Sequence, residues 1–244
     1  MKLLQRSTVT LALLVGVGAL IWLSVENNTL GKQITQLEAE LGHMPIGDPD
    51  RVHIAEIGSP EVPPEVASQL ERVWQFRCYL PAGYDMRRFG GEGRVAESGL
   101  YFQGGFGSGS ESPQAEAIQQ LLTVSFYRDG DHLKVYNAFG GSSGTSSWPG
   151  FAPERLDEAL VVHKLVNKEQ GPQSFPTDAI LPFLKIYDPS SAEERNVAGK
   201  PLTTYDGGMF AIFPGSREQA FGQLRRGETP DGFEAHWVAE GTAQ

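Results

Sequence analysis

Leu122-Thr123-Val124-Ser125-Phe126-Tyr127, then Arg128-Asp129-Gly130-Asp131-His132, then Leu133-Lys134-Val135-Tyr136-Asn137-Ala138-Phe139, is the stretch that decides the fold class. Leu122, Val124 and Phe126 alternate with polar or amphipathic residues, and Leu133, Val135, Asn137 and Phe139 carry the return run. Period two puts each set on one face of a strand. Asp-Gly between two such runs is the strongest short-range signal for a hairpin. Asp129, Asp131 and His132 are metal-ligating types, but they are spaced as turn residues and lack the later glutamate of a calcium loop. A hairpin tip is the reading, with no metal.

The same pattern extends outward from the hairpin. Trp74, Phe76, Cys78 and Leu80 alternate with Val73, Gln75, Arg77 and Tyr79, a half-buried strand ended by Pro81-Ala82-Gly83. Cys78, on the Trp74 and Phe76 face, reads as buried and inert. Arg51–Ile57 and Tyr84–Phe89 are weaker strand candidates. Ala159–Val166, apart from His163 and Lys164, and the short Leu181–Tyr187 and Met209–Phe213 carry hydrophobics on both faces, which suits central strands. Pro182 would sit at an edge or a strand beginning. Ser216 with Gln219 matches a capping box ahead of Ala220, Phe221 and Leu224, and Arg225-Arg226-Gly227 would close that helix. Gly232–Val238 reads as a final strand, and Pro153–Glu158 as a short helix.

Two glycine- and serine-rich stretches read as loops. Gly104–Ser110 lacks the lysine of a phosphate loop, and its serines do not form the Gly-x-Ser-x-Gly elbow of hydrolases. Gly140–Gly150 carries Trp148, either an exposed platform for a sugar or peptide or a lid folded back on the core. The fold class expected is mainly β, an antiparallel β-sandwich-like domain with minor helices.

The N-terminus carries a different pattern. No charged residue occurs from Ser7 to Val25, and at about 1.5 Å per residue a helix there would be roughly 28 Å long, near the hydrocarbon thickness of a bilayer. Lys2 and Arg6 precede it, so the expectation is a cytoplasmic N-terminus at 1–6, a transmembrane helix at 7–25 and an extracytoplasmic remainder at a bacterial plasma membrane. A cleaved signal peptide, cut near Gly16-Val17-Gly18-Ala19, is the competing reading. Residues 26–44 form a juxtamembrane helical linker in which Leu30, Ile34, Leu37 and Leu41 recur at coiled-coil spacing. That stripe is either a weak homodimer seam or a spacer packed on its own domain. Pro45-Ile46-Gly47 ends the linker, leaving 45–244 as one strand-rich domain.

The chain has 244 residues, a formal net charge of −10, 29 glycines, 16 prolines and one cysteine, which excludes an intrachain disulfide. The acidic balance argues against nucleic acid as a partner. His43, His53, His132, His163 and His236 show no ligand spacing, and no cofactor motif is present. Glu158 and Asp188 border expected strands but carry no catalytic pattern, and Arg77 and Arg87-Arg88 read as solvated charge. The catalytic residues are thus unknown.

The basic start, the span, the Leu-rich linker, Asp48-Pro49-Asp50-Arg51-Val52-His53 and Trp74-x-Phe76-Arg77-x-Tyr79-Leu80-Pro81 together resemble small single-pass membrane-anchored proteins of planctomycete bacteria, over roughly residues 1 to 84. The resemblance implies an envelope location and a strand-rich domain, and nothing catalytic. The function expected is a membrane-anchored envelope protein whose outer domain binds a protein or surface polymer. The alternative is an anchored hydrolase acting on glycans through dispersed carboxylates.

Overall fold

The computed structural model describes residues 2–58, 70–130, 132–148 and 160–243. A helix, α1 (Lys2–Glu40), leads into β1 (Val52–Ile57), β2 (Leu70–Leu80), β3 (Met86–Ala96), β4 (Phe102–Ser110), β5 (Ile118–Asp129), β6 (His132–Phe139) and β7 (Ser142–Ser147). Then follow β8 (Val161–Lys164), β9 (Gln173–Phe175), β10 (Leu181–Tyr187), β11 (Glu193–Val197), β12 (Lys200–Pro214), the short helix α2 (Glu218–Arg225) and β13 (Thr242–Ala243).

The strands form two open sheets, six-stranded in the order β7-β6-β5-β2-β1-β9 and seven-stranded in the order β13-β8-β10-β12-β3-β4, with β11 on β12. All the pairings between named strands are antiparallel. The first sheet is built around the β5–β6 hairpin, where Gly130 takes φ 61°, a left-handed value that a tight turn demands. One apolar cluster joins the sheets: Ile54, Trp74 and Phe76 on one side pack with Phe183, Phe210 and Ile212 on the other. β12 alternates between two cores. Phe210 and Ile212 face the first sheet, whereas Met209, Ala211 and Phe213 face outward into a second cluster with Phe89, Phe102 and Phe221 of α2. An outer face that is also apolar must be covered, and α2 with the segment after it covers it.

Several expectations require correction. Among the described residues no helix is long and apolar enough to cross a membrane. Glu26, Lys32, Glu38 and Glu40 follow Val25 in the same continuous helix. The transmembrane helix at 7–25, the lipid bilayer as partner, the anchored envelope function with its hydrolase alternative, and the plasma-membrane topology are therefore not supported. Span and linker are not separate either, since the helix is continuous from Lys2 to Glu40.

The expected seam also faces the wrong way for packing on the strands. Leu30, Ile34, Leu37 and Leu41 are each more than half exposed. Instead α1 docks through Ala39 and Gln36, whose Nε2 donates to Glu56 O at 2.6 Å, while Arg77 Nε donates to Ala39 O at 2.8 Å. The helix is held by polar bonds to β1 and β2 and by a small cluster of Ala39, Met44, Ala55 and Tyr79.

The capping box does not form. Gly215–Arg217 is a 3₁₀ turn, α2 starts at Glu218, and no side chain caps it. Gly232–Val238 is a turn with a 3₁₀ segment at Ala235–Trp237 rather than a strand. Pro182 lies in a central strand, but at the register slip between Leu181 and Leu184, where a ladder hydrogen bond is already interrupted. The Pro153–Glu158 helix lies outside the described residues.

Candidate functional site

The outer face of the second sheet carries a cavity of about 510 Å³. Its floor is β8 and β10, which present His163, Pro182 and Lys185. The turn joining β3 to β4 forms one wall through Glu97, Gly99 and Leu100. Leu224 of α2 and the chain from Phe233 to Gly241 form the other. Tail-accommodating apolar surface comes from Leu100, Leu224, Phe233 and Val238, and exposed Glu97 and Glu240 stand at the rim.

Lys185 is the unusual group. It is 6% exposed, on a strand whose other residues are apolar or aromatic. Its Nζ donates to Ala96 O and Glu97 O, each at 3.1 Å, and to Gly99 O at 2.8 Å. These three bonds use all three N–H of the ammonium and pin the β3–β4 turn to the sheet. No carboxylate among the described residues lies within ion-pair distance, so the charge is bonded but not neutralised. Burial pulls its pKa down to about 8, against a smaller upward pull from Glu97.

His163 and Tyr187 extend the polar floor. His163 Nε2 lies 3.4 Å from Tyr187 Oη, and the Tyr187 ring packs on Tyr205 at 4.7 Å between centroids. Burial, reinforced by Lys185, holds the imidazole below the usual histidine range, so His163 is neutral at pH 7. The arrangement offers one buried cation and a neutral imidazole at the base of an apolar cavity, with the Tyr187 phenol against the imidazole.

The residues weighed from sequence lie elsewhere, His163 excepted. Asp188 caps a 3₁₀ turn, accepting from Ser190 N at 2.8 Å and Ser190 Oγ at 2.6 Å. Glu158 lies outside the described residues. Arg87 pairs with Asp85 and Glu218 on the surface. His53 Nε2 contacts Asp48 O at 2.7 Å, exposed His43 lies in the turn after α1, and His236 contacts Glu234 at 3.0 Å. Asp129 pairs with Lys134 at the hairpin tip, and no group of three metal-ligating side chains occurs among the described residues. Trp148 is buried at 1% exposure, a lid on the core and not a platform.

Cys78 is fully buried, and burial pushes its thiol far above the usual range. A thiol so placed is expected to react with an aromatic disulfide reagent only as fast as the chain unfolds. Reaction in native buffer at the rate of a free thiol would contradict the burial.

No family model, curated protein or solved structure matches this chain. The resemblance to planctomycete single-pass proteins is thus unsupported by any match, and the helix it relied on does not provide a span. The cavity went unnoticed in the sequence because it is assembled from five separated segments. One signal was available: a lone lysine in Leu181–Tyr187, a run otherwise suited to the interior.

Proposed function

We propose that this chain binds a small, mainly apolar molecule bearing a carboxylate, in the cavity over Lys185. The observation that carries the reading is a buried ammonium, without an anionic partner among the described residues, at the base of an apolar cavity. An isolated charge in such a place is costly unless it meets an opposite one. A pocket with apolar walls and a few convergent polar groups is the usual form of a small-molecule site. The carboxylate lies beside His163, drawn by the charge of Lys185 while the three N–H of that ammonium stay on the turn carbonyls, and the hydrocarbon part lies along Leu100, Leu224 and Val238. The rim carboxylates of Glu97 and Glu240 are exposed and screened by water, so they oppose the anion less than buried Lys185 attracts it.

The head group and the pH dependence test this. Decanoate, kept below micelle-forming concentration, is expected to raise the melting temperature of the full chain at pH 7, and decylammonium to bind at least tenfold more weakly. As pH rises past 8, Lys185 loses its proton and the affinity for decanoate falls. A bound anion favours charged Lys185, so binding takes up protons between pH 8 and 9. Equal binding of the two head groups, or an affinity unchanged from pH 7 to pH 9.5, would refute the proposal.

A further inference from the structure

The sides of the sheets opposite the short strands β9 and β13 end in β4 and β7. β4 runs Phe102-Gln103-Gly104-Gly105-Phe106-Gly107-Ser108-Gly109-Ser110 without a charge or a proline, and Gln103 to Ser108 are exposed. Proteins ordinarily guard a long edge with lysine, proline or a cover, because its free N–H and C=O groups template another strand. This edge has no such guard.

Its two faces differ. Register with β3 puts Phe106 opposite Gly91 on the outer face and Gly107 and Gly109 opposite Gly90 and Arg88 on the face turned towards the other sheet. The inward face is therefore nearly bare of side chains. A groove of about 250 Å³ lies there between β4 and β7, lined by Gly107, Asn137, Ser142, Gly144 and Ser146 with Arg88 within it. Arg88 Nη2 donates to Ser142 Oγ at 2.6 Å, while buried Nη1 has no hydrogen-bond partner and stands 3.5 Å from Glu111. On the outer face, Phe106 is 51% exposed and the Arg225 guanidinium sits 4.3 Å from its ring centroid. No carboxylate among the described residues is within ion-pair distance of Arg225. In a chain of net charge −10, the outer face of the unguarded edge thus carries Arg225, and Arg88 on the inner face is shared with Glu111.

We propose that β4 is a docking edge for an acidic, extended segment of another polypeptide, which adds to the sheet as a strand. Backbone hydrogen bonds along Gln103–Ser110 supply the pairing. Alternate side chains of the guest point to opposite faces, so one acidic residue reaches Arg225 beside Phe106 and its neighbour enters the groove towards Arg88. Gly105 and Gly107, with open space over them, leave room for the inward side chains. A second copy of the chain fits less well, because antiparallel self-pairing would bring these arginines towards their own copies.

Fluorescein-labelled ten-residue peptides test this against the full chain by anisotropy at low salt. One repeats threonine-threonine-glutamate-glutamate, which puts a glutamate on each face of the strand, and the other has lysine in place of glutamate. The acidic peptide is expected to bind at least tenfold more tightly, and Arg225→Ala to weaken it about fivefold. Adjacent residues of an edge strand point their N–H groups in opposite directions, so one of Gly107→Pro and Ser108→Pro removes only an outward donor. The variant of the two that keeps the wild-type melting temperature should lose the acidic peptide. The proposal is overturned if the acidic peptide does not bind, if both peptides bind alike, or if that proline variant binds normally. It is also overturned if the chain alone dimerises and the proline variant abolishes the dimer, since a second copy would then own the edge.

Discussion

Trp148→Ala is expected to cost about 4 kcal/mol in equilibrium urea unfolding, the range for removing a large aromatic from a packed core. Trp148 follows β7, and its backbone N–H bonds Leu133 O at 2.8 Å. Its ring crosses to the second sheet, edge-on to Phe126 at 4.9 Å and parallel to Phe210 at 6.2 Å. Gly208 of β12 lies beneath it, where a Cβ would collide with Trp148 Cη2. The tryptophan and the glycine are therefore one packing unit. Gly208→Ala alone should also destabilise by overpacking, about 2 kcal/mol. In the Trp148→Ala background the same change should cost less, because the clash with the ring is gone and only Gly91 O, 2.8 Å from the new methyl, still has to shift. Additive losses would mean that the two sites are not in contact.

Lys185→Met should cost about 2 kcal/mol and lower decanoate affinity at least tenfold. The methionine fills similar volume, but Ala96, Glu97 and Gly99 lose the donor of their carbonyls. Two of these residues are exposed and can turn to water, so the loss is smaller than for three sealed acceptors. The freed turn should open more often, with faster amide exchange at Glu97–Leu100 than in the wild type. Stability measured by urea and affinity measured by titration separate the two roles of the lysine. A variant with normal exchange in that turn and unchanged affinity would contradict both.

The antiparallel β character was legible where side chains alternate. The β5–β6 hairpin follows from Asp129-Gly130 and its flanking runs, and β2 from Trp74, Phe76 and Cys78. β4, the glycine-rich part of β3, and β7 were not legible, because there the strands are made of residues typical of loops. The reason is contact distance. A Cβ at Gly93 would meet Gln103 O, one at Gly104 would meet Glu92 O, and one at Gly91 would lie 2.6 Å from Phe102 Cζ. Packing requires glycine at those positions, and composition alone cannot distinguish that need from flexibility.

The N-terminal reading failed for a different reason. Absence of charge over 7–25 describes one part of a helix that is continuous to Glu40, where it docks on β1 and β2 through Gln36 and Ala39. The heptad stripe is a true periodicity, but it lies on the exposed face of α1 and not on the face that docks on the strands. For the cavity, Lys185 was the single local clue. His163 shows no ligand spacing to another histidine, and its proximity to Tyr187 comes from the β8–β10 register, which pairs Lys185 with His163.

The most direct test of the ligand-binding account is a calorimetric titration of decanoate into the full chain at pH 7, beside the Leu224→Trp variant. Leu224 lines the cavity from α2, and the larger ring would occupy the space of the ligand. The account predicts saturable binding of one decanoate per chain, lost in Leu224→Trp while the melting temperature stays within a few degrees of wild type. No saturable heat, or the same binding in wild type and variant, would contradict it.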